Sequence, residues 1–155
     1  MGKRMPDMAG TGVMAEDGSV DELAAGIDGV LAKCRADVPR LTAQETLAAG
    51  RLGALVIDTR TETQRAEEGE LPGALVIDRT VLEWRLDPVS EARIPEATDY
   101  DVAVVVVCRE GYSSGMAAAS LRQLGLWRAT DMIGGTEAWQ RAGLPLTEGP
   151  ADVRR

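Results

Sequence analysis

Apolar residues along the chain fall into two patterns, short unbroken runs and segments where they recur every three or four positions. Val102 to Val107 is β-branched and almost uninterrupted, the pattern of a strand buried on both faces of a parallel sheet. Ala54 to Ile57, Ala74 to Ile77 and Ala129 to Ile133 have the same character, and Val38 to Leu41, interrupted by Pro39, reads as a short edge strand. Helices are predicted between these runs. Thr42 with Glu45 and Thr61 with Gln64 form capping boxes, opening helices that Gly50 and Gly69 end. Ala117, Leu121 and Leu124 lie at helical spacing before Gly125, a left-handed C-cap. Val81 to Arg85 and Thr136 to Ala142 are shorter helical candidates. Asp87 to Asp101 carries two prolines and scattered charges, so it reads as a long surface connection that could border a site at the sheet's end. Strand and helix alternation of this kind predicts an α/β fold of three layers, a central mostly parallel sheet with helices on both faces.

The ends of the chain read differently. Met1 to Gly18 is rich in Gly, Met and small residues without periodicity, the composition of a disordered leader. Residues 19–37 follow as an amphipathic helix, with Ser19 and Glu22 as its capping box and Leu23, Ile27, Val30, Leu31 and Cys34 on one face. That face is expected to pack on the domain, residues 38–149, or on a partner. Residues 150–155 are polar and are expected to be a mobile tail.

A length of 155 residues suits one domain with its own core. The net charge of -8 argues against nucleic acid or an anionic membrane as a partner. No apolar run is long enough to span a bilayer, and no signal-peptide core follows Lys3 and Arg4, so the cytoplasm is the expected compartment. Cys34 and Cys108 lie 74 positions apart in dissimilar contexts, which gives neither a disulfide framework nor zinc spacing. No metal or cofactor is expected.

Chemistry concentrates at Cys108, Arg109, Glu110, Gly111, Tyr112, Ser113 and Ser114, between the carboxyl end of a central strand and the amino end of a helix. In open α/β sheets that crevice is where ligands bind. The thiolate is the nucleophile, and a free cysteine with pKa ~8.5 is mostly protonated at neutral pH. The chain contains no histidine, so a Cys/His pair is excluded. Backbone remains: a tight loop containing Gly111 can turn successive N–H groups inward as an anion nest, and the following helix adds its positive dipole end.

At these residues the chain resembles the rhodanese (sulfurtransferase) superfamily in its single-domain form, from about Val38 to Leu146. The loop of Cys, two variable residues, Gly and a hydroxyl-rich end is matched by Cys108 to Ser114. Val56, Ile57, Asp58, Thr59, Arg60 resembles the family's strand ending in Asp and Arg, and Gly69 to Ala74 its Gly, His, Ile, Pro, Gly, Ala segment, with Glu70 in place of the His. Gly134, Gly135, Ala138, Trp139, Gly143 and Pro145 match its C-terminal signature.

The resemblance implies a sulfurtransferase in which Cys108 takes a sulfane sulfur from a donor, holds it as a persulfide and passes it to a thiol or other thiophile. Thiosulfate, a persulfide or a mercaptopyruvate-like compound is the implied donor, and a thiol or a sulfur-accepting protein the acceptor. Residues 109–114 are the implied cradle. Rhodanese-like phosphatases place an Arg six positions after the cysteine, where this chain has Ser114, so a cysteine phosphatase is the less favoured reading. Glu110 opposes a dianionic donor, and poor thiosulfate turnover is expected. Arg60 and Arg85 are candidates for contacting substrate, although Arg60 with supporting Asp58 is weighted towards a structural ion pair. Arg109 could bind the donor or point outward, and Tyr112 could wall the pocket or cover the loop from outside. Cys34 reads as a core thiol before a resolving one, and Trp139 with the paired glycines as packing and turn residues. The alternatives are a noncatalytic rhodanese-like interaction module and a persulfide carrier that discharges only to its partner.

Overall fold

The run at Val104–Val107 is the third strand in a computed structural model that describes residues 26–155. Helix α1 is Gly26–Arg35, α2 Ala43–Arg51, strand β1 Leu55–Asp58, α3 Glu62–Glu68 and β2 Leu75–Val76. A 3-10 turn, Arg79–Val81, leads into α4, Leu82–Leu86; β3 is Val104–Val107, α5 Ser113–Leu124, β4 Ala129–Asp131, α6 Gly135–Arg141 and β5 Asp152–Val153. The five strands form one sheet in the order β4-β3-β1-β2-β5, and every pairing is parallel.

Alternation along the strands divides the core. Val104 and Val106 of β3, with Ile57 of β1, point to the face covered by Leu82 and Leu86 of α4 and Ala117 and Leu121 of α5. Val105 and Val107 point to the other face, where Ala43 of α2, Trp139 of α6, Leu71 and Met132 cover them. All four valines of β3 are buried, which accounts for a sequence with no polar position. Helix α1 lies over α5, with Leu31 next to Gly115.

Both capping boxes form: Thr42 accepts from the Glu45 N–H at 3.1 Å, and Thr61 from that of Gln64 at 3.1 Å. Gly125 ends α5 in the left-handed region, beside the Tyr100 ring. The 87–101 connection has no regular element, yet it is anchored by buried Ile94 and Ala97. The expected strand at Val38 to Leu41 is reduced to a single bridge from Leu41 to Met132, because Pro39 brings no N–H to a ladder.

The leader at residues 1–18 and the Ser19, Glu22 and Leu23 positions lie outside the described residues. At the other end, the mobile tail expected at 150–155 is corrected: Asp152 and Val153 pair with Leu75 and Val76 on the free edge of β2. Arg154 then donates its backbone N–H to Val76 at 2.8 Å and grips Glu96 with both Nη atoms, at 2.9 and 2.7 Å. A two-residue strand is too short to show alternation, and its ion-pair partner is 58 positions away. Among the described residues no helix is long and apolar enough to cross a membrane.

Removing residues 150–155 therefore uncovers the β2 edge, and the shortened chain is expected to melt lower by roughly 4 °C. Hydrogen bonds from Arg154 hold the Glu96 and Asp152 carboxyls below their ordinary range. Their contribution is present above the ordinary carboxylate range and lost as pH falls through the lowered values. The difference in Tm between the full and shortened chains should therefore narrow in acid; one that stays constant or widens contradicts this account.

Candidate active site at the Cys108 loop

Five residues, Cys108 to Tyr112, join the end of β3 to the start of α5. Cys108 is 6% exposed, and its Sγ accepts the Gly111 N–H at 3.1 Å. The first turn of α6 meets the loop from behind: the N–H of Thr136 donates to the Cys108 carbonyl at 2.9 Å and that of Glu137 to the Arg109 carbonyl at 3.1 Å. Such first-turn donors have no partner within their own helix, so the loop carbonyls supply one. A planar trans peptide sets its N–H opposite its C=O. With these carbonyls turned to α6, the N–H groups of Arg109 and Glu110 face away from it, and neither meets an acceptor among the described residues.

This approach requires glycine on both sides. At Gly135, φ is +61° and a Cβ would lie 2.4 Å from the carbonyl oxygens of Cys108 and Arg109. At Gly111, φ is +88° and a Cβ would lie 2.5 Å from the Gly134 nitrogen. The paired glycines thus let the loop and α6 touch backbone to backbone.

Two cations hold the loop from the far side. The Gly111 carbonyl accepts from Arg35 at 2.8 Å and from Arg40 at 3.0 Å. Arg40 is fixed by a fork on Asp131, with Nε to Oδ1 at 2.9 Å and Nη2 to Oδ2 at 3.0 Å, and the Ser114 hydroxyl donates to the same carboxylate at 2.7 Å. Asp131 and Ser114 are fully buried. The Asp131 hydrogen bond raises the Arg40 pKa above its ordinary value against the opposing effect of burial, and Cys108 contributes a smaller Coulombic attraction. Arg35 also lies over the Tyr112 ring, 5.9 Å from its centre.

The loop faces an open pocket of about 360 Å³, lined by Cys108, Arg109, Glu110, Tyr112 and Ser113 and, from the segment after β1, by Thr59, Arg60, Thr61 and Gln64. Gly111 and Ser114 lie behind this lining. Gly111 gives its N–H to the thiol, and the Ser114 hydroxyl is engaged with Asp131, so Ser114 supports the loop from below and presents no hydroxyl to the pocket. Glu110 is exposed at the mouth, and Tyr112 is 61% exposed. Arg109 turns towards Glu68, 3.6 Å away, and Glu137, 3.9 Å away. Arg60 and Asp58 are both buried and paired at 2.8 Å, with a further Arg60 bond to the Gly69 carbonyl at 2.9 Å.

Other expected residues sit elsewhere. Arg85, on α4, donates to the Ala92 carbonyl and ties down the long connection, outside the pocket lining. Glu70 pairs with Arg65 at 2.7 Å. Trp139 donates to the Pro145 carbonyl at 2.9 Å within its packing position. Cys34 is a half-buried free thiol on α1. Among the described residues there is no cluster of His, Cys, Asp or Glu able to hold a metal ion. Arg35, Arg40, Asp131 and Glu68 were not legible as site residues. Arg40 meets its partners 71 and 91 positions along the chain, and no local pattern encodes such a contact.

A family model described as rhodanese-like domain matches residues 42–142. A sulfurtransferase of Allochromatium vinosum is 38% identical over 92 residues, covering 59% of this chain and 77% of that protein. The thiosulfate sulfurtransferase GlpE of Actinobacillus succinogenes is 42% identical over 63 residues, 41% of this chain and 57% of that protein. A solved structure from Rhodopseudomonas palustris, described as a protein of unknown function and possible tyrosine phosphatase, aligns with a TM-score of 0.70 at 28% identity over 78% of this chain and 93% of its own. A thiosulfate sulfurtransferase from Pseudomonas aeruginosa aligns with a TM-score of 0.65 at 24% identity over 82% of this chain and 23% of its own, a likeness of fold alone.

Two substitutions test how the loop is held. Gly135→Ala is expected to cost about 3 kcal/mol, since its φ and the 2.4 Å approach both exclude a side chain; a Tm near that of the parent contradicts the packing account. Arg40→Ala leaves the buried Asp131 carboxylate without its cation and is expected to cost about 3 kcal/mol in urea unfolding. Under 1 kcal/mol would show that the Arg40 fork is incidental.

Proposed function

Because the chain belongs to the rhodanese-like domain family, we propose that it is a sulfurtransferase that carries sulfane sulfur on Cys108. The observation that supports this reading most directly is the thiol sulfur set at the floor of an open pocket, hydrogen-bonded by a loop N–H, with neighbouring N–H groups left without acceptors. In the first half-reaction the Cys108 thiolate attacks the terminal sulfur of the donor. A Cys108 S–S bond forms, the donor's own bond to that sulfur breaks, and its electron pair leaves with the donor remnant. The product is a Cys108 persulfide anion, whose charge falls within reach of the N–H groups of residues 109–113. In the second half-reaction an acceptor thiolate attacks the outer sulfur, leaves as a persulfide and returns Cys108 as thiolate. No net redox change occurs.

Phosphoryl transfer fits the site less well. A planar fork on the phosphate oxygens is the usual requirement, and the position six after the cysteine is Ser114, whose hydroxyl is engaged with Asp131. Of the two arginines in the pocket lining, Arg60 is bound to Asp58 and Arg109 leans on Glu68 and Glu137. The description of the Rhodopseudomonas protein therefore stays with that protein. Thiosulfate comes from the names of relatives such as the Actinobacillus protein, of which this chain spans 57%, and it enters as one candidate donor beside persulfides and mercaptopyruvate-like compounds. Small thiols and a sulfur-accepting protein are the candidate acceptors. Nucleic acid and membrane are poor partners for a chain of net charge -8. A working thiolate needs reducing surroundings, which makes the cytoplasm the proposed compartment.

Incubation with a sulfane donor should leave the protein one sulfur atom heavier by intact mass, with the added sulfur mapped to Cys108 and released by a thiol. Cys108→Ser should remain unmodified. Turnover of a phosphate ester that depends on Cys108, with no persulfide formed, would falsify the assignment. Glu110→Lys is expected to raise kcat/KM for thiosulfate roughly fivefold, because it reverses a charge at the pocket mouth; an unchanged value would show that this carboxylate is not felt by the donor.

A further inference from the structure

Neither arginine in the pocket lining offers it a free charge. Glu68, at the end of α3, lies between them, with Oε1 3.5 Å from Arg60 Nη1 and Oε2 3.6 Å from Arg109 Nε. Its side chain is only 12% exposed. The buried atoms Arg60 Nη1, Glu68 Oε1 and Arg109 Nε have no hydrogen-bond partner among the described residues. These contacts sit just beyond hydrogen-bonding distance, so Glu68 acts on both guanidinium groups mainly through its charge. Asp58 is bound to Arg60 at 2.8 Å, Glu137 approaches Arg109 at 3.9 Å, and Glu110 lines the mouth. With Arg141, 3.9 Å from Glu137, three guanidinium charges against four carboxylates leave a formal balance of one negative around the pocket.

We infer that Glu68 determines donor specificity: it cancels the arginines of the pocket, so that the site accepts sulfur donors bearing one negative charge and discriminates against dianions. This rests on the sulfurtransferase reading. Two small donors isolate the effect, since methanethiosulfonate differs from thiosulfate by a methyl group in place of one charged oxygen. Both follow the same step. The thiolate forms an S–S bond with the terminal sulfur, the donor's S–S bond breaks, and the electron pair leaves with methanesulfinate in one case and sulfite in the other. Each reaction conserves charge and gives the same Cys108 persulfide.

The test compares kcat/KM for the two donors in the parent and in Glu68→Gln, with persulfide on Cys108 read by intact mass. Removal of one carboxylate is expected to raise the thiosulfate value about tenfold and the methanethiosulfonate value about threefold, because the benefit scales with donor charge. Glu137→Gln, at a half-exposed position, is expected to act in the same direction by about threefold and twofold, and it decides the matter if Glu68→Gln fails to fold. A general loosening of the site would move both donors by one factor. Equal factors, or a fall for thiosulfate, overturn the inference while persulfide formation keeps the sulfurtransferase reading intact. Absence of persulfide with either donor overturns both.

Discussion

Two hydrogen bonds from the first turn of α6 to the carbonyls of Cys108 and Arg109 set the direction of the whole loop. Once those carbonyls face α6, the planar peptide groups they belong to present their N–H bonds away from it. Everything else at the site is arranged so that this contact can exist. Gly135 is bare so that the carbonyls can approach, and Gly111 is bare so that the loop can close against Gly134. β3, with valines buried on both faces, delivers Cys108 to the place where the contact is made.

The loop is held from two sides by different physics. On the α6 side the contact is backbone to backbone, short and intolerant of any side chain. On the other side it is ionic: Arg35 and Arg40 converge on the Gly111 carbonyl, and buried Asp131 orients Arg40 while taking the Ser114 hydroxyl. A chain without histidine places amide dipoles and guanidinium groups around its Cys108 loop, and a guanidinium keeps its charge across the ordinary pH range. The arginines that line the pocket are paired with carboxylates, whereas those behind the loop point their charge at the backbone.

The fold was legible because its signals are local. A valine run, two capping boxes and a glycine after Leu124 each depend on residues within a few positions, and each formed where expected. Membership of the rhodanese-like domain family was legible for a related reason, since its motifs lie in loops whose backbone geometry dictates residue type. The site was legible only in part. Cys108 and Gly111 announce themselves, but Ser114 looked like a pocket hydroxyl until Asp131 was found beneath it. Arg85, a candidate for contacting substrate, is spent on the Ala92 carbonyl. Nothing local in the sequence marks Glu68, and only the folded chain brings Arg60 and Arg109 to either side of it. β5 was missed for want of length.

Arg35 and Arg40 have a consequence for how the chain can be divided. Both precede residue 42, where the family match begins, and β5 follows residue 142, where it ends. A fragment trimmed to the matched span would keep Cys108, the paired glycines and four of the five strands, yet leave the Gly111 carbonyl with neither cation. The smallest piece recognisable as a member of the family is thus smaller than the smallest piece that grips its own Cys108 loop, and the structural unit has to be drawn around contacts, wherever the homology stops.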